Sequence, residues 1–157
     1  MGNKIATALS DLAMTTKSST SARRPGVVYT WDEIHQTHRS LNGIHHRNGR
    51  LLSLLTDFGR LNPCYPDFHG ETKSIIHYTG SGRRGNQKMD AANRALVDAI
   101  SSCYAVPLFN KLGVNRWEYL GDWQVVAADY VFDESRTRMV WKFTLKQADG
   151  FLPETVN

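Results

Sequence analysis

Two short segments carry the residues whose types and spacing can do chemistry. Tyr65 and Asp67 flank a proline, and Tyr78 begins the run Tyr-Thr-Gly-Ser-Gly that ends at residue 82. Two tyrosines on separate loops can present two aromatic faces, and a nearby carboxylate can accept a hydrogen bond from an exocyclic amine. The hydroxyls and backbone amides of the second segment can complete the hydrogen bonding. These groups fit a planar heterocycle that is held between two rings and read along its Watson–Crick edge, as in proteins that flip a base out of a duplex.

The energies of such a site are of the size that base flipping needs. Stacking on one aromatic ring is worth about 1–3 kcal/mol per base. Two rings and the edge contacts can therefore offset the cost of unstacking a base, which is of the order of a few kcal/mol. On the residues alone an alternative stays open, in which Tyr65 and Tyr78 are half-buried packing residues and Gly80 to Gly82 form only a turn.

Basic residues lie on both sides of these segments: Arg39, His45, His46, Arg47 and Arg50 come before them, and Arg83, Arg84 and Lys88 follow. Such residues can neutralise the phosphates that flank a flipped nucleotide. We expect five of them to contact the DNA backbone, namely His45, Arg47, Arg83, Arg84 and Lys88. The formal net charge of +4 permits a nucleic-acid partner, although a solvated loop without a partner is the alternative.

The sequence also contains the letters of a metal-dependent nuclease motif. Asp67, Glu71 and Lys73 follow the order Asp…Glu-x-Lys, in which two acids share Mg²⁺ beside a lysine that helps to activate water. Those acids normally come from two neighbouring strands, and the short spacing between Asp67 and Glu71 scarcely allows the turn between them. A Mg²⁺-dependent nuclease of modified DNA is therefore the alternative hypothesis. The preferred hypothesis has no enzymatic activity, no catalytic residue and no cofactor.

Histidines and cysteines do not indicate a metal site. His35 and His38 are three residues apart and His45-His46 follow, but no Cys-x-x-Cys or His-Glu-x-x-His pattern accompanies them. Cys64 and Cys103 are the two cysteines of the chain, too few for a disulfide framework. We expect no metal and a reducing compartment.

Length and composition are those of one globular domain. The chain has 157 residues, of which 41% are hydrophobic and 22% charged, and this is ordinary for a domain with one core. No apolar run approaches the roughly 20 residues of a membrane helix, and residues 1–25 lack the apolar region of a secretory signal. We expect a flexible tail over residues 1–25 with a short helix through Ile5, Leu9 and Leu12, a domain over 26–150, a tail over 151–157, and no membrane contact.

The elements that must position the candidate residues are mostly strands. Strands are predicted over 27–29, 51–55, 73–79, 106–109 and 122–131, and the alternation from Met139 to Leu145 predicts the last one. Spacings of three and four residues predict one clear helix from about Gln87 to Cys103. Thr30 and Glu33 form a capping-box pattern that predicts another helix start. This order predicts an α+β fold, in which a curved sheet or barrel is flanked by one or two main helices.

From about residue 41 to residue 148 the chain resembles the SRA (SET- and RING-associated, or YDG) domain of modified-DNA readers. Five pieces occur in the family's order. Residues 43–47 are similar to the GIHGR loop, 78–82 to the YTGSG turn, 86–96 to the DQKL…NRAL helix, 116–126 to the RYDG-x-Y-x-V strand and 139–145 to the closing VWR-x-x-L strand.

The resemblance implies an SRA/PUA-like, barrel-like curved sheet that cradles DNA, and a pocket that holds flipped 5-methylcytosine or a related 5-modified cytosine. It implies that Tyr65 and Tyr78 stack on the base and that Asp67 receives the cytosine amino group. The turn contributes the rest of the pocket, with Thr79 at the base edge, Gly80 beside it and Ser81 near the 5-substituent. The implied partners are double-stranded DNA and an effector protein, such as a chromatin enzyme or a nuclease. The implied role is that of an epigenetic reader in the nucleus of a eukaryote, or a cytoplasmic protein otherwise.

Three departures from the family pattern affect these expectations. The stretch from Gly82 to Gln87 is short where vertebrate members carry a finger loop that reads the opposite strand, so little discrimination between singly and doubly modified sites is expected. Tyr119-Leu120-Gly121 replaces the Tyr-Asp-Gly triplet, and Tyr65-Pro66-Asp67 is looser than the acidic GYEDD loop. A relative that binds a protein instead of DNA is a third hypothesis.

Overall fold

The computed structural model describes residues 23–148. The predicted helix through Ile5, Leu9 and Leu12 and the predicted tail over 151–157 lie outside the described residues. Eight strands and two helices occur within them: β1 (Val28–Tyr29), α1 (Trp31–Ile34), β2 (Ile44–Arg47), β3 (Arg50–Thr56), β4 (Phe68–His69), β5 (Ile75–Thr79), α2 (Ala91–Ser102), β6 (Ala105–Gly113), β7 (Arg116–Asp133) and β8 (Arg138–Gln147). No helix of the described part is long and apolar enough to cross a membrane.

All eight strands belong to one sheet with the order β2-β3-β6-β7-β8-β5-β4, and β1 pairs with β7. Neighbours are antiparallel except β3 and β6, which are parallel. The long strand β7 pairs with β6 along its first half and with β8 along its second half. The register shifts between Val125 and Ala127, and such a bulge bends a strand. The predicted α+β fold, a curved sheet flanked by one or two helices, is confirmed. The sheet is not closed into a barrel, because its outermost strands β2 and β4 do not pair.

Helix α2 covers the core of the sheet with a face of small and branched residues. Ala95, Leu96 and Ala99 of this face are buried in the main hydrophobic cluster. The helix begins later than the predicted Gln87, because Asp90 is its extended N-cap and accepts a hydrogen bond from the backbone of Asn93. Met89, the first of the periodic residues, lies in the connection that precedes the helix.

The histidine- and arginine-rich stretch, for which no strand was predicted, forms β2 and a hairpin with β3. Asn48 and Gly49 join the two strands with φ of 53° and 79°. A two-residue turn with both φ angles positive is the hairpin that Asn-Gly favours, so this dipeptide was the sequence signal for β2. The predicted capping box of α1 is confirmed, since the Thr30 side chain accepts from Glu33 N and the Glu33 side chain from Thr30 N.

Candidate nucleic-acid interface

A cavity of about 420 Å³ opens beside the end of β3, the loop that leads to β4 and the turn that follows β5. The residues predicted to bind a base all line it: Tyr65, Asp67, Tyr78, Thr79, Gly80 and Ser81. The two sequence segments that carry the candidate chemistry are therefore brought together around one space.

Both tyrosines of the cavity are neutral aromatic groups. Tyr78 lies on β5 opposite Phe143 of β8 and is 3% exposed. Its hydroxyl donates to the carbonyl oxygen of Leu55 at 2.8 Å, which ties β5 to the end of β3 and fixes the ring. Burial raises the pKa of Tyr78 well above its usual value and also raises the pKa of the half-buried Tyr65.

Asp67 is a buried carboxylate whose two oxygens are held separately. Oδ2 accepts from the Thr56 hydroxyl at 2.6 Å, and Oδ1 accepts from the Thr79 backbone amide at 2.6 Å. Burial raises the pKa of Asp67 to about 6, although the hydrogen bonds from Thr56 and Thr79 oppose that increase. The group is therefore mostly ionised at neutral pH. Each oxygen can accept a further hydrogen bond, so Asp67 can receive an amino group from the cavity.

Lys142, to which the sequence analysis assigned no role, lies behind this acid. It is the β8 partner of Thr79, and its ammonium group donates to Thr79 Oγ1 at 2.7 Å and to the Pro66 carbonyl oxygen at 3.0 Å. Burial lowers the pKa of Lys142, whereas the charge of Asp67 raises it. The ammonium group thus compensates part of the buried negative charge and orients the Thr79 hydroxyl.

The turn after β5 is fixed by side chains from two other elements. A Cβ atom added to Gly80 would lie 2.5 Å from Asn93 Oδ1 and 3.0 Å from Trp141 Cβ, so this position has no room for a side chain. Asn93 accepts from Ser81 N at 2.7 Å and donates to Ser81 O at 3.0 Å. Gln87 donates to Gly80 O at 2.8 Å. A buried amide network therefore holds the turn in one conformation.

Arg138 joins the two loops that flank the cavity. It is 4% exposed, and its Nη1 atom donates to Gly82 O at 2.7 Å and to Gly85 O at 3.2 Å. Its Nη2 atom donates to the carbonyl oxygen of Cys64 at 2.7 Å, next to Tyr65. The planar guanidinium group thereby sets the separation between the Tyr65 loop and the turn that follows Tyr78.

The residues predicted to contact the DNA backbone lie on or around the cavity. Arg83 lines the cavity itself, and Arg84 and Lys88 are exposed beyond the turn. His45 and Arg47, together with Arg39, line a second depression of about 430 Å³. Asn42, Ile44 and His46 border both spaces, so the second depression adjoins the cavity.

The chain matches one family of known proteins. The sequence profile of the ScoMcrA-like SRA domain matches residues 27–156. The chain belongs to the SRA domain family. The match confirms the resemblance that the ordered motifs indicated. No curated protein sequence matches the chain significantly.

Solved structures share the SRA fold with this chain. The modification-dependent TagI restriction endonuclease superposes with a TM-score of 0.67 and 19% identity over 81% of this chain and 50% of its own. The SUVH5 SRA domain in complex with hemimethylated CG DNA gives 0.65 and 23% over 82% and 93%. KRYPTONITE in complex with mCHG DNA and SAH gives 0.65 and 18% over 80% and 32%. The chain thus spans about half the length of the TagI enzyme.

Within this SRA domain the residues of the nuclease motif do not share one site. Asp67 lines the cavity, whereas Glu71 and Lys73 are exposed in the connection between β4 and β5 and do not line it. Among residues 23–148, no three His, Cys, Asp or Glu side chains form a group that could hold a metal ion.

His38, one of the histidines considered as a metal ligand, is bonded inside the domain. Its Nε2 atom donates to the Asn42 carbonyl oxygen at 2.6 Å, and its Nδ1 atom accepts from the Ser53 hydroxyl at 2.7 Å. Burial lowers the pKa of His38 to about 4. This neutral histidine holds the chain segment that precedes β2.

The residues that hold the pocket residues in place were not predicted from the sequence. Gln87 and Asn93 lie within a motif that carried the family resemblance, so a buried polar role was available from that match. Lys142 lies on the mixed face of a clearly alternating strand, where a single basic residue does not indicate a role in the site. Arg138 precedes the alternation, and nothing in its immediate sequence indicates that it is buried.

Proposed function

We propose that this SRA domain binds double-stranded DNA that contains 5-methylcytosine or another 5-modified cytosine, and that it flips the modified base into the cavity. Tyr65 and Tyr78 stack on the two faces of the base. Asp67 accepts a hydrogen bond from the amino group, and Thr79 contacts the base edge. The domain recognises the base and performs no chemistry on it.

The observation that carries the proposal is the buried carboxylate of Asp67 at the wall of the cavity. An ionised group that is 5% exposed is costly unless its acceptor sites are used. Thr56 and Thr79 each use one site on a different oxygen, and a cytosine amino group can use another. Thymine has a carbonyl oxygen at that position, which Asp67 would repel. The same acid therefore selects cytosine-type bases against thymine.

The rim of the cavity has the groups that a flipped nucleotide needs outside the pocket. Leu41 lines the cavity and is 88% exposed. An exposed apolar side chain beside a base pocket can enter the stack and fill the space that the flipped base leaves. Arg83 and the basic residues of the second depression support the proposal by offering positive charge to the flanking phosphates.

A nuclease or a chromatin enzyme is the partner that such a reader would direct. The TagI restriction endonuclease is twice as long as the part that this chain matches. We infer that this domain supplies recognition and that a separate effector acts on the DNA.

Binding and base unstacking can be measured together. Duplexes that are identical except for cytosine or 5-methylcytosine at one position are titrated, with 2-aminopurine beside the target to report unstacking. The parent domain should prefer the modified duplex and increase the fluorescence. Equal affinity for both duplexes without a fluorescence change would refute the proposal. Incubation of the same duplexes with Mg²⁺ tests the alternative, since strand cleavage would show a nuclease.

Tyr65 provides the variant that tests stacking, because it is only half-buried. Tyr65→Ala should lose about 1–3 kcal/mol of binding to the modified duplex, whereas Tyr65→Phe keeps the ring and should retain most of it. Tyr78→Ala should lose most binding as well. Because Tyr78 is buried, the circular dichroism spectrum and the thermal unfolding of the Tyr78→Ala variant must show that it is folded. A folded Tyr78→Ala that binds as tightly as the parent would remove Tyr78 from the stack.

A further inference from the structure

The second half of β7 has one edge along which no other strand pairs. Strand β6 pairs with β7 only as far as Gln124, which lies opposite Ala105, whereas β8 follows the other side of β7 to Asp133. Among residues 23–148, no strand pairs with the β6 side of residues 126–133. We call this side of the strand the open edge. Its backbone amide and carbonyl groups are available to another strand.

The open edge carries exposed apolar side chains. Val126, Tyr130, Val131 and Phe132 are 37%, 42%, 38% and 55% exposed. Natural edge strands are commonly protected by lysine or proline, and residues 126–133 contain neither. A long apolar edge of this kind can accept an extended segment of another chain as an additional strand.

The two faces of the open edge differ in their chemistry. Directly opposite residues of antiparallel strands point to the same face of a sheet. Tyr130 and Phe132 lie opposite Trp141 and Met139, so one face is aromatic and apolar. Asp129 is exposed and belongs to the other face, because side chains alternate along a strand. An added strand therefore meets apolar groups on one face and a carboxylate on the other.

Neither a second copy of this chain nor DNA matches the open edge. In two-fold antiparallel pairings that are centred on residues 128 to 132 and keep the aromatic faces together, Asp129 lies opposite or diagonal to Asp129 or Asp133 of the other copy, and like charges so placed repel. Residues 126–133 line neither the cavity nor the second depression, and the Asp129 carboxylate disfavours phosphate groups. A strand in which basic residues alternate with apolar ones complements both faces.

We propose that the open edge of β7 binds an extended segment of a partner protein, in which apolar residues alternate with basic ones, by adding it to the sheet as a further strand. The apolar residues pack on Tyr130 and Phe132, and a basic residue pairs with Asp129. Identifying this partner as the effector rests on the proposed function, whereas the strand pairing itself does not.

Three synthetic peptides of about ten residues, with blocked ends, test the open edge when titrated into the full chain without DNA. The first alternates valine with lysine or threonine, the second has glutamate in place of lysine, and the third is the lysine peptide with a central valine and the threonine beside it replaced by proline. Chemical shifts of the backbone amides report affinity. The lysine peptide should bind about tenfold more tightly than either of the others, and it should slow the hydrogen exchange of alternate amides within residues 126–133.

Variants separate strand pairing from non-specific adhesion. Asp129→Lys should invert the preference, so that the glutamate peptide binds more tightly than the lysine peptide. Phe132→Thr should weaken the lysine peptide about fivefold, or about 1 kcal/mol. Val114→Thr is the matched control, because Val114 is 89% exposed in the turn between β6 and β7, and it should leave the affinity unchanged. A lysine preference that survives Asp129→Lys, or unchanged exchange of residues 126–133, would overturn the inference.

Other occupants of the open edge give different results. A dimer of the full chain that Phe132→Thr dissociates would assign the edge to a second copy. Peptide binding that appears only after removal of residues 1–22 or 149–157 would assign it to a segment of this chain. Displacement of the peptide by a methylated duplex would place the edge in the DNA interface, and each of these three results overturns the inference. Peptide binding that persists with the duplex present supports it, and a lack of preference for methylated DNA would then refute the proposed function alone.

Discussion

Acidification should release modified DNA by protonating Asp67. In the free domain, burial raises the pKa of this carboxyl to about 6. In the proposed complex the carboxylate accepts a hydrogen bond from the cytosine amino group, which favours the ionised form and lowers the pKa. Below about pH 6 the domain must therefore lose a proton before it binds the base, and its affinity for the modified duplex must fall.

The magnitude follows from the fraction of domains in which Asp67 is ionised. With a pKa of about 6, about nine-tenths are ionised at pH 7 and about one-tenth at pH 5. The affinity for the modified duplex should therefore fall about tenfold over this interval, or about 1.4 kcal/mol. The Asp67→Asn variant has no ionisable group here, so it should bind more weakly at pH 7 and show no such dependence.

Titrations at constant ionic strength between pH 5 and pH 8 provide the measurement. Histidine protonation strengthens the attraction to every duplex as the pH falls, so the informative quantity is the ratio of the affinities for the modified duplex and for a duplex without a flippable target. A ratio that stays constant with pH in the parent would refute the reasoning. So would an equal slope in Asp67→Asn, because another group would then carry the proton.

As the pH falls, the contribution of Asp67 to protein stability should increase while the affinity for DNA decreases. This difference separates loss of binding from unfolding. The pKa of Asp67 is raised from 3.8 to about 6 on folding, so the folded state binds this proton more tightly than the unfolded state does. The Asp67 contribution to stability therefore falls as the pH rises from about 4 to about 6, by about 3 kcal/mol in total. Between pH 7 and pH 5 the domain should lose affinity while this contribution to its thermal stability increases.

Further predictions concern the surroundings of the base. Arg47→Ala or Arg84→Ala should weaken modified and unmodified duplexes alike and flatten the log–log salt dependence by about one unit; slopes equal to that of the parent would exclude these two phosphate contacts. Arg138→Lys should weaken modified-duplex binding about tenfold, because a single ammonium group cannot reproduce the planar fork that joins the two loops, and unaltered affinity would show that the loops hold their separation without it. Leu41→Ser should reduce both the affinity for the modified duplex and the 2-aminopurine fluorescence. If neither decreases, Leu41 does not fill the space that the flipped base leaves. Because the stretch after Gly82 is short, the affinities for duplexes modified on one strand and on both strands should differ by less than about tenfold, or 1.4 kcal/mol. A strong preference for the hemimodified duplex would show that another loop reads the partner base.

Elements with strong local patterns could be predicted from the sequence. The alternation in β8 and the spacing in α2 each reflect one buried face, and the bounds of both elements lie within a few residues of those expected. The predicted pocket residues come from two short segments, and both segments line the cavity in the structure. The motifs do not indicate how far apart the two loops lie in space.

Residues that act between distant segments could not be predicted. Arg138 contacts Cys64 and Gly82, which are 74 and 56 residues away, and no local pattern encodes a contact of that range. Lys142 contributes to the site only because β8 places it opposite Thr79. The sequence left open whether the sheet closes into a barrel, since closure depends on whether β2 and β4 meet and not on the pattern of any strand.

The energetic cost of Asp67 explains why so many buried polar groups surround it. A carboxylate that is 5% exposed destabilises the fold, and the hydrogen bonds of Thr56 and Thr79 with the charge of Lys142 offset only part of that cost, since the pKa remains raised. A neutral residue would avoid the cost of burying a charge, but it would leave the amino group of a flipped cytosine without an anionic acceptor. Sites that hydrogen-bond a ligand group reject analogues that lack it far more strongly than apolar pockets reject a missing methyl group. In the proposed complex, this unfavourable charge is what would distinguish a modified cytosine from thymine, and Arg138 fixes the loop that carries it.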